Sequence, residues 1–369
     1  MENRPGMESM GLNTSFYKNK KVFITGHTGF KGSWLTTWLL NSGAIIKGYA
    51  LQPDTTPSMF NVLELDNKIE NVFADINDVK RITKEISDFK PEIVFHLAAQ
   101  PLVRESYAKP QYTFATNVLG TVNLLEAVRN CASVRSAVII TTDKVYKNFE
   151  KAEGYKESEE LGGYDPYSAS KACCEIVTDS YRQSFFNNSH TLIATARAGN
   201  VIGGGDWSKD RIIPDAVKAF SSGEKLTVRN PDSVRPWQHV LEPLSGYLML
   251  GEKLYNGEKE FEGSWNFGPE KNDKMNVGKL AETITEFWGD NASYEEIKLN
   301  GQPHETVLLS LDISKAKSKL SWTPSYNSKE ALQKTIQWYK SFYTGTADML
   351  RMTSDQIMQF ENSKDLIEH

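Results

Sequence analysis

The run Thr25-Gly26-His27-Thr28-Gly29-Phe30-Lys31-Gly32 constrains this chain more than any other stretch. Residues 20–26 before it are short and apolar and end in glycine, which predicts a buried parallel strand. Residues 30–42 after it place Trp34, Leu35, Trp38 and Leu39 at helical spacing, with Gly43 as the stop. Three glycines between a strand and a helix permit a tight turn. They also let backbone N–H groups approach a pyrophosphate at the helix N-terminus. Gly26, Gly29, Phe30 and Gly32 are therefore candidate dinucleotide contacts. His27 has two readings, a surface or stacking residue, or a wall of the cofactor site.

The rest of the chain continues in the same style. Strands are expected at 44–50, 69–74, 91–99, 136–142 and 191–198. Helices are expected from Asp75 through Ile86, at 113–130, and from 167 to about 185. This alternation predicts an α/β protein with a Rossmann-type doubly wound parallel sheet. Beyond residue 200 the pattern is less regular. A helix at 214–221, a strand at 226–229 and helices at 241–255, 276–288 and 328–343 suggest a smaller C-terminal mixed α/β substrate domain. The expected division is a disordered leader at 1–19 and a Rossmann domain at 20–200 plus about 238–262. The second domain takes 201–237 and 263–343. The tail 344–369 reads either as a helix packed on a neighbour or as disorder.

Further residues suit a dinucleotide. Asp75 follows the third strand within reach of an adenine amino group, with Ile76 beside it. Ala98-Ala99-Gln100 ends the fourth strand in small side chains that leave room for a cofactor, and Thr116 lies on the next helix. No arginine follows the second strand, at Leu51-Gln52-Pro53-Asp54, to meet a 2′-phosphate. NAD is favoured over NADP. Tyr167 and Lys171 lie four apart on a helix that Asp165 caps and Pro166 starts, so they share a face. An ammonium beside a phenol favours the phenolate, which makes the pair a candidate acid/base near neutral pH or, more plainly, a surface pair.

Several function classes fall away. Net charge is -5 and no long basic run appears, which argues against a nucleic-acid surface. No apolar run approaches the roughly 20 residues of a membrane helix, and the first residues lack a signal-peptide core. Cys131, Cys173 and Cys174 have no zinc-ligand spacing, and the six histidines show no metal motif. A reduced, cytoplasmic protein without a metal is expected.

Taken together, TGHTGFKG, the strand end Thr141-Thr142-Asp143-Lys144 and YSASK resemble the extended short-chain dehydrogenase/reductase family. More narrowly, GHTGFKGSWL, EIVFHLAAQPLVR, GGYDPYSASK, RAGNVIGGGDW, RNPDSVRPWQHVLEPLSGY and WNFGP resemble the CDP-glucose 4,6-dehydratases, over about residues 20–343.

That resemblance implies a reaction in which hydride passes from carbon 4 of CDP-glucose to NAD. Water then leaves across carbons 5 and 6, and hydride returns to carbon 6. It implies Tyr167 as the acid/base, Lys171 as its partner and a contact of the nicotinamide ribose, and Thr142 as the orienting hydroxyl. Asp143 is implied as the acid for the leaving water, provided burial raises its pKa. In the related dTDP-glucose enzymes a Glu follows this Asp and is the candidate base; here it is Lys144. Its role stays open between base, enolate stabiliser and positioner of Asp143. Asn200, Arg211, Arg235 and His304 are implied in sugar-nucleotide binding, and Gln100 and Arg104 are expected to face the sugar. Family members pair through two long helices, here about 113–130 and 167–186, so a homodimer or homotetramer through a four-helix contact is expected. A role in deoxysugar synthesis for a surface polysaccharide follows from the same resemblance.

Overall fold

A computed structural model describes residues 12–151, 153–289, 292–297 and 309–365. Seven strands form the central sheet: β1 (Lys21–Thr25), β2 (Ile45–Ala50), β3 (Glu70–Phe73), β4 (Ile93–His96), β5 (Ser136–Ile140), β6 (Leu192–Ala198) and β7 (Gly263–Phe267). Their order is β7-β6-β5-β4-β1-β2-β3, and every neighbouring pair is parallel. β4, β5 and β6 are buried at every position. Helices cover both faces of such strands, so they read as continuous apolar runs rather than as alternating ones.

β7 differs from expectation. Residues 263–267 were assigned to the smaller domain, yet they form the sheet edge beside β6. Gly263, Ser264 and Asn266 dilute the apolar signal of this strand. The helix Leu241–Tyr255 packs against β5 and β6 with most of its residues buried. Residues 110–129 form one long helix that widens into a π-helical turn at Ala115–Leu119. It begins before the expected residue 113 because Pro110 is well suited to a first turn.

Both chain ends depart from expectation. Residues 12–19 of the supposed leader are ordered: Thr14–Tyr17 is a short 3₁₀ turn, and the buried Tyr17 hydroxyl donates to the Leu248 carbonyl at 2.6 Å. Of the two readings of the tail, the helix is the one found over residues 349–365. After the helix Ser328–Thr344, Gly345 adopts φ 63° and turns the chain into the helix Met349–Asp365. Trp38 Nε1 donates to Glu361 at 2.7 Å and Trp338 Nε1 to Thr353 at 3.0 Å, so this helix packs on the chain's own core. One apolar cluster runs from Trp34 and Trp38 through Trp265 to Leu280, Trp338 and Phe360.

The strand order reverses between β1 and β4. A doubly wound sheet opens its ligand crevice there, outside the C-terminal ends of the strands.

Candidate active site

The cradle at this switch point is built from backbone. Gly26 has φ 75°, and a Cβ there would lie 2.6 Å from the Ala98 nitrogen. A Cβ at Gly32 would lie 2.1 Å from the Gly26 carbonyl oxygen. Both positions exclude any side chain. At Gly29 the nearest atom would be 3.5 Å away. Gly29 caps the helix Phe30–Asn41 in an extended conformation, so the free N–H groups of the first turn face the crevice. Thr25 ties the two switch-point strands together: its hydroxyl pairs with His96 Nδ1 at 2.7 Å and accepts from the Ala98 N–H at 3.2 Å. Ala98 and Ala99 put only methyl groups into this space. Thr116 is buried on the π-helical turn, and its hydroxyl has no protein partner. A steric cradle without side chains, an exposed helix start and an unpartnered buried hydroxyl fit a dinucleotide.

Asp75 is held at the end of β3. Its Oδ1 accepts from the Asn77 N–H at 2.9 Å and its carbonyl from the Tyr49 hydroxyl at 2.8 Å. Ile76 is buried against Gly120, where a Cβ would come within 2.7 Å. His27 is not a surface residue. It is fully buried, its ring fills the space over Gly48, and Nε2 pairs with Asn71 Oδ1 at 2.6 Å. Burial pulls its pKa down to about 4, against the Asn71 hydrogen bond. The ring is therefore neutral at physiological pH.

The chemical centre begins where β5 ends. Asp165 caps the helix Pro166–Tyr181, accepting from the Ser168 N–H at 2.9 Å, and this sets Tyr167 and Lys171 on the face toward β5. Both are buried. Tyr167 hydrogen-bonds Thr142, and the Thr142 hydroxyl donates to Asp143 Oδ1 at 3.0 Å. Lys171 Nζ donates to the Ile140 carbonyl at 3.0 Å. Burial raises the Tyr167 pKa to about 12, while Thr142 and Arg211 oppose the rise. Burial also lowers the pKa of Lys171. A phenol that ionises near neutrality beside Lys171 is thus not what the protein alone contains. Desolvation outweighs the neighbouring cations.

Asp143 meets the condition set for an acid. It is buried, and desolvation raises its pKa against the opposing influence of Lys144, Thr142, Lys31 and Arg235. Gly199 leaves it room, since a Cβ there would lie 2.9 Å from Asp143 Oδ2. Lys144 is half-buried next to it, in the 3₁₀ turn Asp143–Val145.

Basic groups surround this carboxyl. Arg235 lies on a two-residue strand paired with Met275 and acts on the charge of Asp143. Arg211 is half-buried, pairs with Asp206 at 2.7 Å and acts on the charge of Tyr167. Asn200 follows Gly199 on a short strand paired with Trp237–His239. Lys31 was not singled out from the sequence. It projects from the first turn of the cradle helix toward Asp143, Lys171 and Arg211, and burial lowers its pKa to about 8. Its signal is a lysine inside the glycine run itself, between Phe30 and Gly32.

Two expected sugar contacts are engaged with the protein itself. The Gln100 amide is consumed by scaffolding: Nε2 donates to Thr113 at 2.9 Å and to the Leu102 carbonyl at 3.2 Å, and Oε1 accepts from the Leu102 N–H at 2.6 Å. Arg104 is on the surface in an ion pair with Asp210 at 3.1 Å. His304 lies outside the described residues. Among the described residues no helix is long and apolar enough to cross a membrane, and no group of three or more His, Cys, Asp or Glu side chains could hold a metal.

The family profile described as GDP-mannose 4,6 dehydratase matches residues 23–335. The chain belongs to this family. A curated CDP-glucose 4,6-dehydratase of Salmonella typhimurium is 47% identical over 356 residues, 95% of this chain and 98% of the relative. A dTDP-glucose 4,6-dehydratase of Haemophilus influenzae is 25% identical, covering 86% of this chain and 97% of that protein. Among solved structures, DesIV, a dTDP-glucose 4,6-dehydratase from Streptomyces venezuelae with NAD and TYD bound, superposes with a TM-score of 0.74 at 21% identity. It covers 89% of this chain and 99% of that one. This structural likeness establishes the fold.

Proposed function

We propose that the chain is an NAD-dependent CDP-glucose 4,6-dehydratase, a lyase that converts CDP-D-glucose to CDP-4-keto-6-deoxy-D-glucose and water. The observation that carries this reading is the buried Asp143 carboxyl of raised pKa, joined through Thr142 to Tyr167. A dehydrogenase site needs the tyrosine and the threonine. Only a reaction that expels water needs the acid beside them. The 47% identity to a CDP-glucose enzyme supports the choice of base.

The residues then divide the work. Gly26, Gly29, Phe30, Gly32, Asp75, Ala98, Ala99 and Thr116 hold NAD, which when bound supplies a hydride acceptor that is regenerated in each turnover. Tyr167 takes the proton of the 4-hydroxyl, and Thr142 orients that hydroxyl. Lys171 and Arg211 are the cations that favour the phenolate. Asp143 gives its proton to the departing 6-hydroxyl. Lys144, the half-buried cation beside Asp143, is assigned to stabilising the enolate that forms as the carbon-5 hydrogen, made acidic by the 4-ketone, is removed. Arg211, Arg235 and Asn200 take the diphosphate, a task suited to forked guanidinium groups.

The assembly is proposed to be a dimer or tetramer through a four-helix contact. Leu119 on one long helix and Ile176 and Phe185 on the other are exposed apolar side chains that such a contact would cover. A cytoplasmic site of action and a place in deoxysugar synthesis for a surface polysaccharide belong to the same reading, supported by three unpaired cysteines. The test is to incubate the protein with NAD and, separately, CDP-, dTDP- and UDP-glucose and GDP-mannose. Product mass and the alkaline absorbance of a 4-keto sugar are then followed. CDP-glucose should lose water fastest; no water loss from it sinks the reading.

A further inference from the structure

Glu175 and Arg197 form an ion pair sealed inside the protein, with side-chain exposures of 2% each. Neither has a part in the chemistry above. Glu175 lies one helical turn beyond Lys171, and Arg197 lies on β6. Arg197 Nη2 meets Glu175 Oε2 at 2.8 Å. Two of the pair's other bonds reach the flanks of one short segment, and the rest tie it to neighbouring strands and to the Glu157 carbonyl. Glu175 Oε1 accepts the hydroxyl of Thr141, and Oε2 also accepts those of Thr195 at 2.6 Å and Ser264 at 3.1 Å. Arg197 Nη1 donates to the Tyr146 hydroxyl at 2.7 Å and to the Glu157 carbonyl at 3.1 Å. The Tyr146 hydroxyl in turn donates to Asn266 Oδ1 at 2.8 Å.

Thr141 and Tyr146 bracket Thr142, Asp143 and Lys144. One partner of the pair holds the residue before the segment and the other holds a residue just after it. The same helix also grips β5 one residue earlier, through Lys171 Nζ and the Ile140 carbonyl at 3.0 Å. Residues 171 and 175 are thus tied to consecutive residues 140 and 141. Helix and strand are locked in register immediately beside the contact between Tyr167 and Thr142.

A buried ion pair is a poor way to gain stability. Desolvating two charges offsets most of their attraction, and apolar replacements of similar volume are often as stable or more so. What such a pair does offer is direction, because its hydrogen bonds accept only one arrangement of their partners. The geometry points to Glu175 and Arg197 as a positioning pair that sets Thr142, Asp143 and Lys144 against Tyr167. This inference rests on the roles proposed above for those residues.

The test separates positioning from stability. In the double variant Glu175→Leu with Arg197→Met, the hydroxyls of Thr141, Thr195 and Ser264 lose their acceptor, so the thermal midpoint should fall, and kcat is read at a temperature where the variant is folded. Its kcat for water loss from CDP-glucose should fall at least tenfold with KM within about twofold, because the diphosphate contacts are untouched. A folded double variant that turns over at the wild-type rate overturns the inference. If that variant does not fold, Thr141→Val decides. It removes one flanking bond and leaves the ion pair in place. A tenfold loss of kcat at constant KM supports positioning, and an unchanged kcat overturns it. Failure of the functional reading would show instead in the wild-type protein, which would release no water from CDP-glucose.

Discussion

The glycine cradle and the charged centre around Asp143 are built in opposite ways. The cradle is eight consecutive residues whose critical atoms are backbone: Gly26 closes on Ala98, and Gly32 closes on Gly26. The charged centre draws on Lys31, Thr142, Asp143, Tyr167, Lys171, Arg211 and Arg235, from elements far apart in the chain. Its behaviour is set by burial and charge rather than by volume. The cradle should therefore fail when a methyl group is added, and the centre when a proton or a charge is removed.

The largest effect should come from the centre. Tyr167→Phe keeps the ring and removes the hydroxyl that meets Thr142. Turnover of CDP-glucose should drop by about 10²–10⁴-fold, as for loss of a positioned acid/base, with little change in the thermal midpoint. Initial rates of keto-sugar formation measure this.

Asp143→Asn comes next. It should slow water loss by about 10²-fold or more and let a reduced-nicotinamide absorbance accumulate on the enzyme. The acid works only while protonated. Activity should therefore fall as pH rises through the raised pKa of Asp143, and that limb should vanish from the pH profile of the variant. Turnover unchanged in Asp143→Asn would remove the carboxyl from the reaction.

The cradle gives a paired prediction. Gly32→Ala puts a Cβ 2.1 Å from a carbonyl oxygen, against backbone that cannot turn aside. It should cost about 1–3 kcal/mol or more, as overpacking does, and lose NAD in equilibrium binding. Gly29→Ala, with its nearest atom at 3.5 Å, should keep its melting temperature. Equal behaviour of the two variants would break the steric account of the cradle.

The smallest effects test the two expected sugar contacts, Gln100 and Arg104. Gln100→Ala leaves the Thr113 and Leu102 groups without their partner and should destabilise by about 1–3 kcal/mol. The kcat of the folded fraction should be retained. A specific rise in KM without loss of stability would return Gln100 to the substrate site. Arg104→Ala breaks only an exposed ion pair and should change stability by about 0–1 kcal/mol in chemical denaturation.

How far each region could be read from sequence follows the same contrast. The cradle was legible because a strand, three glycines and a helix are contiguous, and the steric need for glycine leaves a literal mark. Six of the seven strands of the sheet were legible as apolar runs. β7 was missed because Gly263, Ser264 and Asn266 interrupt its hydrophobicity, and pairing with β6 supplies what propensity does not. The C-terminal segment stayed open between helix and disorder because its apolar face is recognisable only once Trp38 and Trp338 lie opposite. In the centre, Thr142, Asp143, Tyr167 and Lys171 were named from their motifs. Their protonation was not legible. Tyr167 was expected near neutrality and is raised to about 12 because burial, which sequence does not display, exceeds the pull of nearby cations. The bonding of Gln100 was not legible for a related reason. An amide at a strand end reads alike whether it faces a ligand or its own helix.

By itself the sequence determined the fold class, the position of the glycine turn and the residues proposed to carry the chemistry, since these depend on local geometry and on residue type. Only the tertiary structure decided what those residues are: how strongly Asp143 holds its proton, that Lys31 joins the centre, and that Glu175 and Arg197 grip the two flanks of residues 142–144. Those properties depend on distance and on the exclusion of water. Both come into being when segments remote in the chain close around one another.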